Sequence, residues 1–522
     1  MYHTAVLAAR RAFAASTQAK GSNSSVDMTR KSQRISKSQY LKGLQCPKAL
    51  WLYRHRPELK PEISMAQQHL FDMGHEIGLL AQRYFGQGCE IHAQYYEIDR
   101  AVDLTAEAVD NGKKVIFEAS ACSPDGAYSR IDILKKNRHG IWDLIEVKGS
   151  TGIKDYHLDD MALQRYAFSN SGFNIEKSFL MHINNAYVRN GVLDLKQLFT
   201  LEDCTGEVRN RMRNVQADLA RMMESLNSPV EPECEVGGHC HSPFMCDYLE
   251  YCWKEVPEYS VYNIFSGWKL DELLGDGILH VADVPESFDT TPRQDIEINA
   301  FKNGQIHVDR AAIKDFVNQL QYPLYYLDYE TVMPAVPLFD GTHPYQQLPF
   351  QFSLHSQKKR GGPLDHIEFL HTAQSDPRPE FVRKLVSGCG DKGAIVVYNK
   401  GFEAHINNQL AEAFPQHAQQ LSSLNRRMVD LLIPFRSRHL YHPDMRGSAS
   451  LKSVLPALVP KLSYTDLTIG DGETAAMMYL SCLRNAIPQE EKAEIYRHLQ
   501  KYCAQDTLAE VKLIEILYAQ LY

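Results

Sequence analysis

The spacing of apolar residues divides the chain into two α/β blocks and a connector. In "ISKSQYLKGLQCPKALWLY" (35–53) it predicts helix starts at Ser36 and at Cys46-Pro47, and "MGHEIGLLAQRYF" (73–85) predicts another amphipathic helix. From about 113 to 148 the period shortens to that of strands: "KKVIFEAS", "YSRIDILKK" and "IWDLIEVKG", the last two joined by a polar turn around 137–140. A helix at about 156–169, a strand at 177–184 and a charged helix at about 202–227 follow. Residues 256–320 predict a helical connector whose "IFSGWKLDELLGDGILHVADVP" has helix–Gly-turn–helix character, read as packing in preference to a nucleic-acid grip. Strands resume at 324–330, 349–356, 365–371 and 394–398, and a largely helical tail runs to Tyr522. The expected domains are 35–255 and 321–522.

Composition changes this picture little. At 522 residues the chain exceeds one ordinary core, and 44% apolar with 23% charged residues is globular usage. No apolar run is long enough to span a bilayer, so no membrane partner is expected. A net charge of −8 announces no nucleic-acid binder, although local basic patches matter more than totals. Residues 1–34 predict a tail. Arg10, Arg11 and Lys20 precede the first acid, Asp27, among many Ala and Ser, a composition like that of a transit peptide. A disordered tail, or an upstream start with Met28 as the true first residue, is the preferred reading, and the expected compartment is the cytoplasm.

Candidate chemistry appears first in the 128–148 hairpin. Asp132 lies on one strand, and Glu146 and Lys148 share a face of the other, with Ile145 and Val147 on the opposite face. An Asp, then Glu-x-Lys, is the residue set of a metal-dependent nuclease: carboxylates for a divalent cation and an ammonium to orient water or steady charge. The alternative is a surface Glu–Lys pair, worth about 0.2–1 kcal/mol. In the next helix His157, Asp160 and Gln164 form one polar stripe able to face the site.

Cys234, Cys240, Cys246 and Cys252 follow at equal spacing, with Cys46 far upstream. Clustered thiols point to metal, and the spacing fits neither paired zinc-ribbon motifs nor ferredoxin runs. "CPKALWLY", "RIDIL…LIEVKG…LQRYAF" and C-x₅-C-x₅-C together resemble the RecB-type, PD-(D/E)xK nucleases. That resemblance implies a restriction-endonuclease-like fold, Asp132, Glu146, Lys148 and Gln164 as the catalytic core, and Mg²⁺ or Mn²⁺ on Asp132 and Glu146. It further implies Cys46, Cys240, Cys246 and Cys252 as ligands of a 4Fe-4S cluster, with Zn²⁺ as the alternative. Gln164 and Tyr166 are closer together than the family's Gln and Tyr, His75 is the one candidate for its upstream His, and Cys234 is an extra thiol.

In the second block "LYYLDYETV" (324–332) puts Asp328 and Glu330 on one face of an otherwise buried strand. "VVYNKGFEAHI" adds Asn399 and Glu403, and the last helix carries Tyr502 and Asp506 one turn apart. This ordered set resembles a DEDD-type 3′–5′ exonuclease on a ribonuclease-H-like fold. The resemblance implies two divalent cations on Asp328, Glu330, Glu403 and Asp506, with Tyr502 positioning water; Glu403 stands where that class has Asp. Between these motifs, Arg436, Arg438, Arg446 and Lys452 accumulate around "GSASLKSVLP", and a helix capped by Ser448 or Ser450 suits a phosphate, Arg446 and Lys452 being the candidate nucleic-acid contacts. Nearly all of the chain from about 35 to 522 resembles a bacterial family called "domain of unknown function 2779". The expectation is a metal-dependent DNA nuclease with DNA as partner, in repair or processing. An RNA-processing exonuclease and a non-catalytic nucleic-acid-binding or assembly protein are the alternatives.

Overall fold

The computed structural model describes residues 34–462, 464, 467–483 and 487–522; the transit-peptide-like stretch lies outside them. The chain is mixed α/β and is built on two main sheets. The first comprises β1 (Ile35–Ser36), β2 (Cys89–Glu90), β3 (Val115–Cys122), β4 (Ala127–Lys136), β5 (Trp142–Lys148), β6 (Ile175–Ile183) and β7 (Phe199–Asp203). Its order is β2-β3-β4-β5-β6-β7, with β1 beside β4. β3, β4 and β5 are antiparallel, whereas β5 and β6 run parallel and are joined by the helix Asp155–Asn170. A parallel pair requires such a crossover.

Alternation along β5 sets its two faces. Trp142 and Leu144 share a core with Phe168 of the crossover helix, while Ile145 and Val147 pack with Ile77 and Leu80 of the helix Met65–Phe85. By the same parity Glu146 and Lys148 face the crossover helix. The helix expected from about 202 starts a little later, at Thr205–Asn227, because 202–203 end edge strand β7 (Phe199–Asp203). Phe199 and Leu201 pack inward with exposed Thr200 and Glu202 between, a period of two that decides for strand.

In the second half β8 (His307–Val308) pairs with β14 (Leu440–Tyr441). The main sheet there comprises β9 (Leu324–Val332), β10 (Leu348–Gln357), β11 (Leu364–Leu370), β12 (Ile395–Val397) and β13 (Met428–Asp430), in the order β11-β10-β9-β12-β13. β9 to β11 are antiparallel, and β12 and β13 continue parallel from β9. One face is covered by the C-terminal helix Gln489–Ala519, whose Leu513, Ile514 and Leu517 pack with Leu324 and Tyr326. Helices Arg378–Gly388 and Lys400–Ala413 cover the other, bringing Phe381 and Ile406 against Leu327 and Tyr329.

The connector has a small core of its own, Tyr259, Val261, Phe265, Leu273, Val281 and Ile298, so packing accounts for its hairpin. Arg438, fully buried, ties it to the second half by pairing with Glu297 at 2.7 Å. Of the basic residues gathered around "GSASLKSVLP", Arg438 is therefore withdrawn from the surface: this guanidinium serves a buried ion pair. The halves also meet where Arg189 donates to the carbonyls of Pro337 and Leu338 at 2.9 and 3.0 Å.

Candidate functional site

The first constellation forms where the β4–β5 ladder ends. Backbone pairing reaches Ile133↔Ile145, and the next free amide, Val147 N–H, donates to Asp132 Oδ2 at 2.6 Å. Across β4 the β3 ladder skips Glu118, which is left-handed at φ 57°, between Phe117↔Ile133 and Ala119↔Ile131. Glu118 and Asp132 thereby reach one cavity of about 730 Å³, with His75 and Arg130 also in its wall. A non-glycine residue held at positive φ marks a local demand stronger than its strain.

Glu146, in contrast, is enclosed. Its Oε1 accepts from Lys148 Nζ at 2.6 Å and from Lys37 Nζ at 2.9 Å, and its Oε2 from Gln164 Nε2 at 2.8 Å. Asp160 completes the group by accepting from Lys148 at 2.9 Å and Gln164 at 3.1 Å. Although burial opposes it, Lys148 and Lys37 hold the Glu146 carboxyl well below the ordinary range. Asp132 is pushed up by burial and by the Glu146 charge. The structure thus gathers Asp132, Glu146, Lys148, Asp160 and Gln164 as their spacing predicts. His157 is buried and its Nδ1 accepts from the Lys154 amide at 3.2 Å; burial and then Lys148 lower its pKa to about 4. Tyr166 points elsewhere, donating to Asp125 at 2.6 Å. Lys37 and Glu118 were not legible from sequence: one opens a helix, the other looks like a strand-edge acid.

The second constellation is of another electrostatic kind. One carboxylate oxygen from each of Asp328, Glu330 and Asp506 lies within 4.8 Å of the others. Asp328 and Glu330 share the β9 face under the C-terminal helix, and Asp506 comes down from that helix. Glu330 and Asp506 are each 7% exposed. Among the described residues their bonded neighbours are not ammonium groups: Tyr464 donates to Asp506, and the Cys503 thiol lies 3.6 Å from Asp328 Oδ2. Tyr502, buried one turn before Asp506, helps hold its charge. Glu403 opens the helix after β12 and is 1% exposed, with Oε2 unpartnered. It is not within the 4.8 Å group, though Asp328 is its principal charged neighbour. Burial pushes Asp328, Glu330 and Glu403 well above the carboxylate range, with mutual repulsion adding to it.

A pH dependence follows. Burial raises Asp506 from 3.8 to about 6, so between those values the folded chain holds a proton that the unfolded chain has lost. Stability without metal is therefore expected to fall as pH rises from about 4 through about 6, because the native state binds the additional proton. Denaturant midpoints measured in EDTA across this window should show that fall, and Asp506→Asn should make it shallower, leaving the share that comes from Asp328, Glu330 and Glu403.

The thiols converge as well. Cys46, Cys234, Cys240, Cys246, Cys252 and His239 line one small cavity. Cys46 Sγ lies 3.7 Å from Cys234 Sγ, and His239 Nε2 lies 3.6 Å from both Cys234 Sγ and Cys240 Sγ. Burial raises Cys46 and Cys252 to about 11, the expected condition of enclosed thiols without a cation. The thiol set named from sequence is brought together, and Cys234 with His239 joins it. His239 adjoins Cys240 in the chain, a signal that the cysteine spacing obscured.

The basic residues divide. Lys452 is exposed, and its charge bears on Glu330 and Asp506. Arg446 pairs with Glu258 of the connector, which answers its charge away from that cluster. Ser450 stands at the N-cap of the helix Leu451–Leu458 without capping it, since its hydroxyl bonds Ser453 Oγ at 2.9 Å; the expected cap is corrected.

Comparison with known proteins adds relatives of unstated function. Residues 325–450 match a family described as "Domain of unknown function (DUF2779)", a span that takes in Asp328, Glu330 and Glu403. An uncharacterized protein of Ureaplasma parvum is 26% identical over 235 residues, covering 41% of this chain and 34% of that one. An uncharacterized protein of Mycoplasma genitalium is 23% identical over 219 residues, covering 38% and 33%. The chain thus spans about a third of the length of the curated relatives it matches. A solved structure titled "Crystal structure of SSO0001" aligns with 45% of this chain and 98% of its own at 12% identity and a TM-score of 0.22, a level that carries no argument about fold. Among the described residues no helix is long and apolar enough to cross a membrane.

Proposed function

We propose that this chain is a metal-dependent nuclease acting on DNA, with a RecB-like first half and a ribonuclease-H-like, DEDD-type second half. The observation that carries the reading is the Asp328, Glu330 and Asp506 cluster: acids within 4.8 Å, Glu330 and Asp506 buried and Asp328 half-buried, with no ammonium bonded to them among the described residues. Isolated buried carboxylates are costly, and a divalent cation is the partner that turns their repulsion into binding. The donors fit Mg²⁺ or Mn²⁺, being hard oxygens on a rigid strand and helix. Bound there, such an ion supplies Lewis-acid charge at a phosphodiester and a more acidic water. Tyr464 and Tyr502 fix the orientation of Asp506, and Lys452 offers an ammonium to a strand phosphate beside it.

In the first half Glu146 already meets two lysines, so a cation shared with Asp132 requires Lys37 to give way. The second half is therefore the favoured seat of nucleotide removal. For the thiols, Cys46, Cys240, Cys246 and Cys252 suit a 4Fe-4S cluster. Zinc is the second reading: a tetrahedral ion with bonds of about 2.3 Å to sulfur sets its ligands roughly 3.8 Å apart, close to the Cys46–Cys234 separation of 3.7 Å.

The test is the full chain incubated with labelled single- and double-stranded DNA and RNA, in Mg²⁺, Mn²⁺ or EDTA. Release of nucleotides from DNA with either cation and none in EDTA is the expected result. Activity confined to RNA would reassign the substrate, and a folded chain that cleaves none of the four would sink the reading in favour of a non-catalytic binding protein.

A further inference from the structure

We propose that the cleft between the two halves beside Lys148 is a binding groove for an unpaired DNA strand, walled on one side by the first half and on the other by the β9–β10 loop of the second. The inference rests on the reading of the chain as one that acts on DNA, and it names the form of that DNA and where it lies. The cleft has a volume of about 680 Å³, within the range of ligand sites. Lys148, Lys154, Tyr156 and Phe244 line it from the first half, and Met333 and Tyr345 from the second. The second-half wall is firmly held. Ala335 is buried in the first half's core with Ile77. The Arg189 backbone pairs with the loop in both directions, its N–H donating to the Thr342 carbonyl at 3.0 Å and its carbonyl accepting from Gly341 at 2.8 Å. Tyr345 reaches across to donate its hydroxyl to the carbonyl of Gly149, the residue after Lys148. A Cβ at 149 would lie 3.0 Å from Ile77 Cδ1 and 3.3 Å from that hydroxyl, so glycine permits the close approach.

Packing accounts for these anchors but not for the surface they leave open beside them. Phe244 is 40% exposed on one wall and Met333 52% exposed on the other, so apolar groups of both halves front the same open space. The Tyr156 and Phe244 rings lie 4.6 Å apart at 60°, and Lys154 Nζ stands 5.7 Å from the centre of the Tyr156 ring. Asp160, the acid in the wall, is answered by Lys148 at 2.9 Å, which leaves the exposed ammonium of Lys154 as the charge the cleft offers. Accessible rings beside an ammonium are the set on which unpaired bases stack while their phosphates meet the cation. A duplex suits it poorly, because its base faces are already stacked on one another. The position of the walls gives the groove a direction. Lys148 belongs to the first constellation, and Met333 follows Glu330 by three residues, about 10 Å of extended chain. A strand in the cleft therefore runs from the first constellation toward the β9 end that carries the second.

The experiment is fluorescence anisotropy of a labelled oligothymidylate with the full chain in EDTA, competed by a duplex of equal length and run beside melting curves. The parent is expected to bind the single strand and the duplex to compete at least about tenfold less well. Lys154→Gln should weaken binding about tenfold and lower the slope of log affinity against log salt by about 0.7, the share of one phosphate contact. Phe244→Ala should also cost about tenfold, as one lost stack, and Met333→Glu about as much through a charge on the second-half wall. All three should melt with the parent; were Phe244→Ala to unfold, the exposed positions 154 and 333 carry the test. A parent that binds no single strand, a duplex that competes equally, or Lys154→Gln binding as the parent does would overturn the proposal, and an inert Met333→Glu would overturn the shared wall. Nucleotide release in Mg²⁺ separates this from the reading beneath it. Release by a parent whose variants bind unchanged overturns the cleft alone. Strand binding that the variants lose, with no release from any substrate, overturns the nuclease reading and leaves the cleft standing.

Discussion

Asp328→Asn is expected to lower cation-dependent nucleotide release by about 10³-fold, because it removes the one carboxylate that every other acid in the second site faces and metal ligation is worth several kcal/mol in the transition state. The same change should raise the melting temperature of the chain in EDTA. Asp328 sits among Glu330, Glu403, Asp506 and Glu510 with the Cys503 thiol beside its Oδ2, and its burial and the Asp506 charge push its carboxyl upward. Asparagine keeps the shape and removes a repelled charge, so the metal-free fold gains what the metal-bound site loses. That opposition distinguishes a lost site from a damaged fold. Asp132→Asn serves as the control in the other half: Asp132 faces the 730 Å³ cavity with Glu118 and should leave this release within a few fold. If Asp132→Asn abolishes release and Asp328→Asn spares it, catalysis belongs to the first half and the second is a relic.

The two constellations differ in how much of them the sequence shows. Asp328 and Glu330 are legible because a strand repeats every two residues, so parity alone puts both on the face that the C-terminal helix covers. Asp506 and Tyr502 are legible through helical spacing. Glu510 continues that spacing one turn beyond Asp506, whereas Glu515, nine residues on, falls on the opposite side of the helix. Packing follows the spacing: Glu515 bonds Lys512 at the surface and Glu510 is buried. Tyr464 reaches Asp506 from a loop 42 residues upstream, a distance over which no periodicity operates. In the first half Asp132, Glu146, Lys148 and Gln164 are gathered as their spacing predicts, yet Lys37, 109 residues before Glu146, decides the charge of the group. Local pattern therefore places elements and faces, and long-range charge pairing determines whether a cluster of acids is already answered or is left for a cation.

Cys46→Ser is expected to strip the metal from the thiol cluster and lower the unfolding temperature of the first half by roughly 10 °C, taking several kcal/mol for a structural site at about 2–4 °C per kcal/mol. Cys46 is also the N-cap of the helix Pro47–His55, its Sγ accepting from Ala49 N–H at 3.4 Å. Serine caps a helix at least as well, so the substitution preserves the cap and removes the ligand. The loss should be large because Cys46 precedes the first sheet's main strands while Cys234, Cys240, Cys246 and Cys252 follow them, and a bound metal therefore fastens the two ends of the half together. Burial holds Cys46 and Cys252 protonated up to about pH 11, so metal entry must expel those protons and retention should weaken as pH falls. Metal analysis, visible absorbance and calorimetry of anaerobically purified chain check the prediction, and Cys234→Ser identifies the metal. Brown protein with about four irons, unchanged by Cys234→Ser, assigns a 4Fe-4S cluster to Cys46, Cys240, Cys246 and Cys252. Colourless protein with about one zinc, lost in Cys234→Ser and in His239→Ala, assigns a single tetrahedral ion to Cys46, Cys234 and His239. If neither metal is present and Cys46→Ser unfolds with the parent, the thiols are no more than a buried apolar cluster, and the fastening of the first half must come from the packing of Trp51, Leu52 and Tyr248 around them.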